Sequence, residues 1–585
     1  MIVVLDSDTY KNEALRQLTD TSTYQVLKGN PTVSYSVALA ELVGEAFANG
    51  LISEKIRDYL IPRNPRIPLF HHLPKVHKKE RPPVGRPIVS GIASLNEKLS
   101  EYVDLYLQPL VQRLTSYVRD TKHVLQMLSN FTWQDTYSWG TVDVTSLYSC
   151  IPHDKGLQAI AYHLETYSTY DTFTKDFILD SITYLLSHNF FKFDGTFYLQ
   201  KCGTSMGAKF APTYANLYMG WWEETHIYGG THDLLSNIVF YKRYVDDLLL
   251  IWQGSEFDFD NLVSFFNHNV LNLHFTSDFN IAHISFLDLK LTGSDCKVET
   301  TVFRKACSGN SLLRADSCHP NHMFRGIPLG QFYRIRRNCS TLESFVEQAC
   351  LLRDRFLDRG YTMRSLSAAF TKALNTNRLE LLKDNTMKVG KNFDMAVLDN
   401  KFGNINSSRD KHAYFKNTNN RNKNRKNRNS KCIKEGDAST GYSDNKLPTF
   451  VTAYSNQFYK IREIFYNLLP VLYNDPLLET TVSGGCKVVA RRAPTLGNLL
   501  SPTLWRSCPT RATWLTTKGT YPCGAKRCVT CKHIKRSTVF YSSLTGKSYS
   551  MRVYANCNTQ HVVYLLTCSC CNIQYVGCTI RPLKK

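Results

Sequence analysis

The apolar positions of this chain follow two periods, and the change from one to the other marks its parts. Ile238-Val239-Phe240-Tyr241 and Leu248-Leu249-Leu250-Ile251-Trp252 are short apolar runs rich in β-branched, aromatic and aliphatic residues. Runs of that length and composition predict strands. They flank Tyr244-Val245-Asp246-Asp247, so two strands are expected to meet at adjacent aspartates on a tight hairpin tip. Upstream, Thr141-Val142-Asp143-Val144-Thr145-Ser146-Leu147-Tyr148 reads as an alternating strand that ends at an aspartate. Between the two acidic sites, Gln200-Lys201-Cys202-Gly203-Thr204-Ser205-Met206-Gly207 is a glycine-punctuated turn, and Ala211 to Asn216 opens a predicted amphipathic helix. Short strands are also expected at Gly85-Arg86-Pro87-Ile88-Val89-Ser90-Gly91 and at Val3-Val4-Leu5-Asp6. The prolines between Pro68 and Pro83 interrupt the backbone ladder and exclude a long helix there. Helical periodicity returns over 306–400, with basic clusters at Arg334-Ile335-Arg336-Arg337 and at Arg353, Arg355 and Arg359. From 401 to 445 the apolar pattern disappears. Lys416 to Lys431 holds seven basic residues among asparagines and a serine, a composition that cannot bury a core and reads as a disordered basic linker.

Chemistry enters at the two acidic sites. Carboxylates placed this close repel one another and raise each other's pKa unless a cation lies between them. A hard divalent ion such as Mg²⁺, held by a few carboxylates and substrate phosphates, relieves that repulsion. The pattern therefore points to two-metal phosphoryl transfer, with Asp143, Asp246 and Asp247 as the carboxylates. Bulk properties agree. The 585 residues exceed what one core accommodates, so two to four units are expected. A net charge of +22, from 71 basic against 49 acidic residues, calls for a polyanionic partner. No stretch approaches the roughly 20 apolar residues that span a bilayer, and the N-terminus lacks the basic region and cleavage site of a secretory signal, so no membrane partner is expected. Eighteen cysteines without such a signal suggest a reducing compartment, where clustered thiols bind metal rather than pair. Cys523-x₄-Cys528-x₂-Cys531 has the local shape of a tetrahedral Zn²⁺ site, with either Cys557 or His533 as fourth ligand. A second group, Cys568, Cys570, Cys571 and Cys578, reads equally as reduced structural thiols.

Acidic strand, glycine turn with helix, then acidic hairpin is the order of the palm motifs of template-directed polymerases, and it resembles the reverse transcriptases. The likeness sharpens in Leu73-Pro74-Lys75-Val76-His77-Lys78, Gly85 to Gly91, Leu99 to Asp104, Met206 to Leu217 and Cys318-His319-Pro320-Asn321-His322, which are similar to the Penelope-like retroelement reverse transcriptases over most of residues 1–400. In that family the polymerase is joined to a C-terminal GIY-YIG endonuclease. Val562-Val563-Tyr564 and, eleven residues on, Tyr575-Val576-Gly577 look like its start.

The resemblance implies an α+β fold: a right-hand polymerase of fingers, palm and thumb, a basic linker, a small Cys-rich zinc module and the beginning of a GIY-YIG α/β domain. It divides the chain into N-terminal region and fingers (1–135), palm (136–305), helical thumb-like region (306–400), linker (401–445), connector (446–522), zinc knuckle (523–557) and a truncated nuclease (561–585). It further implies an RNA-directed DNA polymerase of a retrotransposon, working by target-primed reverse transcription on an RNA template, a DNA primer or target and dNTPs, in the nucleus after cytoplasmic synthesis. The alternative is an inactive or domesticated nucleic-acid-binding remnant. Two Mg²⁺ ions, with Mn²⁺ as a substitute, are implied at Asp143, Asp246, Asp247 and the Val144 carbonyl, and Zn²⁺ at the cysteines. Tyr148 is expected to occupy the space of a ribose 2′-hydroxyl. Lys75 and Arg86 are expected on triphosphate oxygens, and Gln200, Gly203 and Gly207 along the nascent base pair. Tyr564, Tyr575 and Gly577 mark the nuclease remnant, expected to be inactive and frayed because no catalytic arginine or glutamate follows in the family's position.

Overall fold

The computed structural model describes residue 3 and residues 5–76, 81–305, 308–383 and 448–472, much of 475–493, and 518–583 except 526, 527 and 552. The predicted linker at 401–445 lies outside the described residues. So do His77 and Lys78 of the basic segment, and Val4 of the N-terminal strand expectation. That strand is not found: Val3, Leu5 and Asp6 take no regular structure.

In chain order the first unit begins with α1 (Ser7–Leu18), β1 (Tyr24–Leu27), α2 (Thr32–Ala48), α3 (Glu54–Leu60), β2 (Leu69–Pro74) and β3 (Gly85–Ser90). It continues through α4 (Glu97–Val111), α5 (Thr121–Leu128), β4 (Tyr137–Val144), α6 (Leu147–Cys150), α7 (His153–Tyr167), α8 (Thr172–Ser187), β5 (Phe190–Phe193), β6 (Thr196–Gln200) and α9 (Ala211–Glu223). Then come β7 (Ile238–Tyr244), β8 (Asp247–Gln253), α10 (Glu256–Asn267), β9 (Phe275–Asn280), β10 (His283–Phe286), β11 (Leu289–Ser294), β12 (Lys297–Val302), α11 (Asn321–Asn338), α12 (Leu342–Leu357) and α13 (Met363–Leu374).

The central sheet has the order β7-β8-β4-β9, all antiparallel. Its middle strands are apolar on both faces because each face meets a core. Leu248, Leu250 and Trp252 of β8 join the core built on α4, α7, α8 and α9, whereas Leu249 and Ile251 join a second core with Trp133, Trp139 and Leu289. That double burial explains why Leu248 to Trp252 is a continuous apolar run rather than an alternating one. Helix α9 departs from expectation in the same way. Eleven of its thirteen residues are buried, so it is a core helix and not an amphipathic one.

A second sheet, β1-β6-β5-β2-β3, collects strands from residues 24 to 200. β2 and β3 form an antiparallel hairpin, which gives the predicted short strand after the proline-rich segment. Helices α11, α12 and α13 pack around Phe332, Phe345, Leu352 and Phe356. Their basic clusters are partly internal: Arg334 pairs with Asp288, Arg336 lies over the Phe345 ring at 5.5 Å, and Arg355 donates to the Gly309 carbonyl. In the predicted connector, parallel strands Thr449–Ala453 and Lys487–Arg491 enclose a helix, Phe458–Leu472.

The chain divides into two compact units, 1–503 and 504–585. The described residues of the second include short strand pairs, a cluster of four cysteines and a hairpin of Val562–Thr567 with Gln574–Thr579. That hairpin is paired over six residues, with Tyr564 opposite Gly577. The expectation of a frayed end is therefore corrected for residues 562–579. The Tyr564 ring lies over Gly577, where an added Cβ would meet it at 2.6 Å, and this side-chain cover together with the ladder holds the strands in register. Among the described residues no helix is long and apolar enough to cross a membrane.

Candidate active site

Two strand ends bring the acidic residues together. Asp143, next to last in β4, stands directly opposite Asp247, the first residue of β8. Both share a face with Leu249 and Ile251, which are wholly buried, so the carboxylates sit at the rim of a packed core. The hairpin between β7 and β8 has only Val245 and Asp246 in its loop, with Tyr244 opposite Asp247. Val245 has φ 58°, a left-handed conformation that costs a β-branched residue on the order of 1–3 kcal/mol. The Asp246 carbonyl accepts a hydrogen bond from the Val144 amide at 3.1 Å, which ties the turn to the end of β4.

The electrostatics follow from that crowding. Burial, then the neighbouring charges of Asp246 and Asp143, push Asp247 up to about 6, with Lys305 opposing. Burial also raises Asp246 above its ordinary range, against the pull of Arg86 and Arg243. Two half-buried carboxylates with raised proton affinity, beside a third, form a set of hard oxygen donors that suits Mg²⁺ or Mn²⁺.

Tyr148 lies on α6, one turn beyond the end of β4, not on a buried strand. Burial and the charges of Asp246 and Tyr244 push its hydroxyl up to about 12, so the half-buried ring is within electrostatic reach of the acidic hairpin. The glycine turn closes on it. Gly203 has φ 67°, and a Cβ there would lie 2.2 Å from the Tyr148 carbonyl oxygen; the Thr204 amide donates to that oxygen at 2.7 Å. Gly207 has φ 135°, and its Cβ would lie 2.3 Å from the Val89 carbonyl oxygen. The turn is thus wedged between α6 and β3, the strand that carries Arg86. Arg86 is exposed and acts on Asp246, while Lys75 stands just past β2 with its amide on the Val84 carbonyl. Gln200 is only 3% exposed, and its amide is used inside the fold: it donates to the Cys202 carbonyl and accepts from Ser205 and Asn189. Sequence reasoning missed Arg243, Glu223, Asn216 and Ser116, which form a buried polar cluster behind the turn. The available signal was weak: Arg243 follows Lys242 near the end of a strand that is apolar only from Ile238 to Tyr241, and the sequence does not separate the buried cation from the accessible one.

In the second unit the ligand atoms of Cys523, Cys528, Cys531 and Cys557 all lie within 4.8 Å of one another. The Cys523–Cys531 and Cys531–Cys557 sulfurs are 3.4 and 3.6 Å apart. Tetrahedral zinc with bonds of about 2.3 Å sets its sulfurs about 3.8 Å apart, so the four thiols fit a Zn²⁺ ion. Against the effect of burial, hydrogen bonds from the Cys523 thiol and the Gly524 backbone draw Cys531 down to about 7, while burial pushes Cys557 up to about 12. His533 is exposed and outside the cluster, so the geometry selects Cys557 as the fourth donor.

The family model for the animal helix-turn-helix domain matches residues 311–371, which span α11, α12 and most of α13. No curated protein sequence matches the chain. Among solved structures, it is similar to telomerase from Candida albicans bound to a fragment of telomeric RNA, at 10% identity and a TM-score of 0.37, covering 58% of this chain and 66% of that one. Apo telomerase from Candida tropicalis, truncated from its C-terminal domain, matches at 12% identity and a TM-score of 0.31, covering 40% and 56%. The RNA-dependent RNA polymerase of BmCPV in its quiescent state matches at 12% identity and a TM-score of 0.33, covering 56% and 29%. The chain thus spans less than two thirds of these relatives' own length. Likenesses this distant carry nothing further.

Proposed function

We propose that the chain is an RNA-directed DNA polymerase of the Penelope-like retroelement kind, which joins dNTPs to a primer 3′-hydroxyl. The observation that carries this reading is the convergence of Asp143, Asp246 and Asp247 at two adjoining strand ends, with Tyr148 beside them. Asp143, Asp246, Asp247 and the Val144 carbonyl would hold two Mg²⁺ ions. Bound divalent ions supply acidity to the primer hydroxyl and neutralise charge on the triphosphate and pyrophosphate. The chain's own groups do the rest. The packed sheet fixes the carboxylates before substrate arrives. Arg86 and Lys75 take triphosphate oxygens, and Tyr148 fills the volume of a 2′-hydroxyl, which selects deoxynucleotides. Gly203 and Gly207 let backbone approach the nascent base pair. The net charge of +22 serves template and primer backbones.

The four-cysteine module is read as a Zn²⁺ knuckle, and the Tyr564–Gly577 hairpin as the opening strands of a GIY-YIG nuclease. Helices α11 to α13 are read as the thumb-like region, and the nucleus as the place of action, in target-primed synthesis for a retrotransposon. Primer extension by the purified chain tests the proposal. Mg²⁺-dependent synthesis with dNTPs on an RNA template is expected. Extension with rNTPs only, or none on the RNA template, overturns it.

A further inference from the structure

The guanidinium of Arg243 is 0% exposed and lies directly behind the turn that presents Asp246 and Asp247. Its Nε and Nη2 grip the two carboxylate oxygens of Glu223 at 2.7 and 3.1 Å, a two-point pairing. Nη1 donates to Asn216 Oδ1 at 2.9 Å and to the Val245 carbonyl at 3.0 Å. Nη2 also reaches the Asn216 carbonyl at 3.2 Å and Ser116 Oγ at 3.4 Å. Glu223, 1% exposed, accepts from Ser116 Oγ at 2.6 Å and from the Tyr241 hydroxyl at 2.7 Å. The loop before α5, two points on α9, strand β7 and the acidic turn therefore meet on one buried ion pair.

Such a pair seldom stabilises a fold more than well-packed apolar residues of the same volume would, because both charges leave water. Its contacts, which join α9 to the carbonyl of the acidic turn, point to a geometric task. Val245 holds φ 58° against the preference of its branched side chain, and the side-chain donor on its carbonyl is Arg243 Nη1. The peptide after that carbonyl leads into Asp246, whose own carbonyl is held by the Val144 amide.

We infer that Arg243, clamped by Glu223 and Asn216, is a positioning residue that locks the strained turn and so sets the aim of Asp246 and Asp247 at a divalent ion. This rests on reading the three carboxylates as a divalent-cation site. Arg243 itself touches no reacting atom in this arrangement. Lysine cannot replace it, since an ammonium lacks the planar fork that serves Glu223, Asn216 and Val245 together.

The test uses the full chain and Mn²⁺ alone as probe, with free Mn²⁺ read by electron paramagnetic resonance and Asp246→Asn as the blank for the site. Arg243→Lys and the double variant Arg243→Met/Glu223→Met are each expected to weaken Mn²⁺ binding at least about tenfold, the effect of removing a group that orients metal ligands. The Mg²⁺ concentration for half-maximal dNTP incorporation should rise by the same factor, while the KM for dNTP changes less than about threefold. Leu352→Ala, in the core of the three helices, is the stability control: it should lower the melting temperature and leave Mn²⁺ affinity alone. If Arg243→Lys does not fold, the double variant still answers, because it removes both buried charges at once. Wild-type Mn²⁺ affinity in the folded double variant overturns the brace and leaves the carboxylate site standing. Mn²⁺ binding that Asp246→Asn does not reduce overturns both.

Discussion

Around Asp143, Asp246 and Asp247 the sheet is walled by Trp139, Leu248, Leu249 and Ile251, none of which exposes any surface. In residues 518–583 the buried positions, among the described residues, are Gly519, Cys528 and Cys557. Two of those three are thiols of the four-cysteine cluster. Both regions gather metal-type ligands, yet they hold them by opposite means. The sheet aims its carboxylates with hydrophobic packing, a register of strand pairs and a buried ion pair, so their arrangement stands without an ion. Among its described residues the module has almost no apolar interior, so its ligands and its core are the same atoms. Burying apolar surface contributes about 25 cal/mol per Å². A unit that buries little of it must draw its stability from coordination instead.

Metal removal separates the two most sharply. The purified chain should carry close to one Zn²⁺ by elemental analysis in reducing buffer. Stripping it should raise amide exchange in 518–583 by at least about a thousandfold, while β4 and β8 keep their protection. Cys557→Ser should lower zinc content and His533→Ala should not. A zinc content near zero, or equal losses from the two variants, breaks the comparison.

The sheet answers to a single carboxylate rather than to its own folding. Asp246→Asn should lower DNA synthesis at least about a hundredfold, since a ligand used in charge stabilisation is lost. RNA affinity should stay within about threefold, because phosphate contacts lie elsewhere on the basic surface. Extension rates within a factor of a few of wild type would remove Asp246 from the site.

How much of this could be read from residues alone depends on the range of the contacts. The acidic hairpin was legible because its signal is local: two apolar runs and a two-residue loop within sixteen positions. The cysteine cluster was legible by spacing for three ligands. The choice of Cys557 over His533 was not, because it rests on a parallel pairing of Gly519–Tyr521 with Tyr554–Asn556 that no local pattern announces. The Arg243 brace was hidden for the same reason. Ser116 is 127 positions away from Arg243, and Glu223 20. Helix α9 misled the reading because a helix buried on every side keeps polar residues, here Asn216 and Glu223, only where a partner such as Arg243 waits. Sheet order β1-β6-β5-β2-β3 was out of reach, since register across such separations is set by tertiary packing and not by propensity.

Tyr148 sharpens the comparison inside the sheet region, where a side chain supplies selectivity rather than a ligand. Its backbone is pinned by α6 and the Gly203 turn and its side chain packs against the core, so truncation empties a defined volume. Tyr148→Ala should lower the preference for dNTP over rNTP at least about tenfold, equivalent to about 1.4 kcal/mol of discrimination. Single-nucleotide incorporation with both substrates reads this, and an unchanged ratio would make Tyr148 a packing residue only.

The smallest effect concerns the cost of keeping carboxylates together without a cation. Asp247 has its folded value raised from 3.8 to about 6 by burial and by Asp246 and Asp143. A carboxyl raised in this direction binds its proton more tightly folded than unfolded. Its stabilising contribution is complete below pH 3.8 and is lost as the pH rises through about 6. Above that pH, in the absence of divalent ions, the charged Asp247 is a liability. Asp247→Asn should therefore raise stability at pH 7.5 in chelator by about 1 kcal/mol, a figure discounted because the group is partly exposed to solvent. At pH 4 the variant and wild type should differ little. Mg²⁺ should raise the wild-type melting temperature more at pH 7.5 than at pH 5, since an ion competes with the proton for the same oxygens. Thermal melts of both proteins at the two pH values, with and without Mg²⁺, decide it. The cysteine module supplies the contrast, because zinc removal there should destabilise at every pH at which the thiols bind metal. If Asp247→Asn is no more stable than wild type in chelator at pH 7.5, the three carboxylates are too far apart or too well solvated to need a cation.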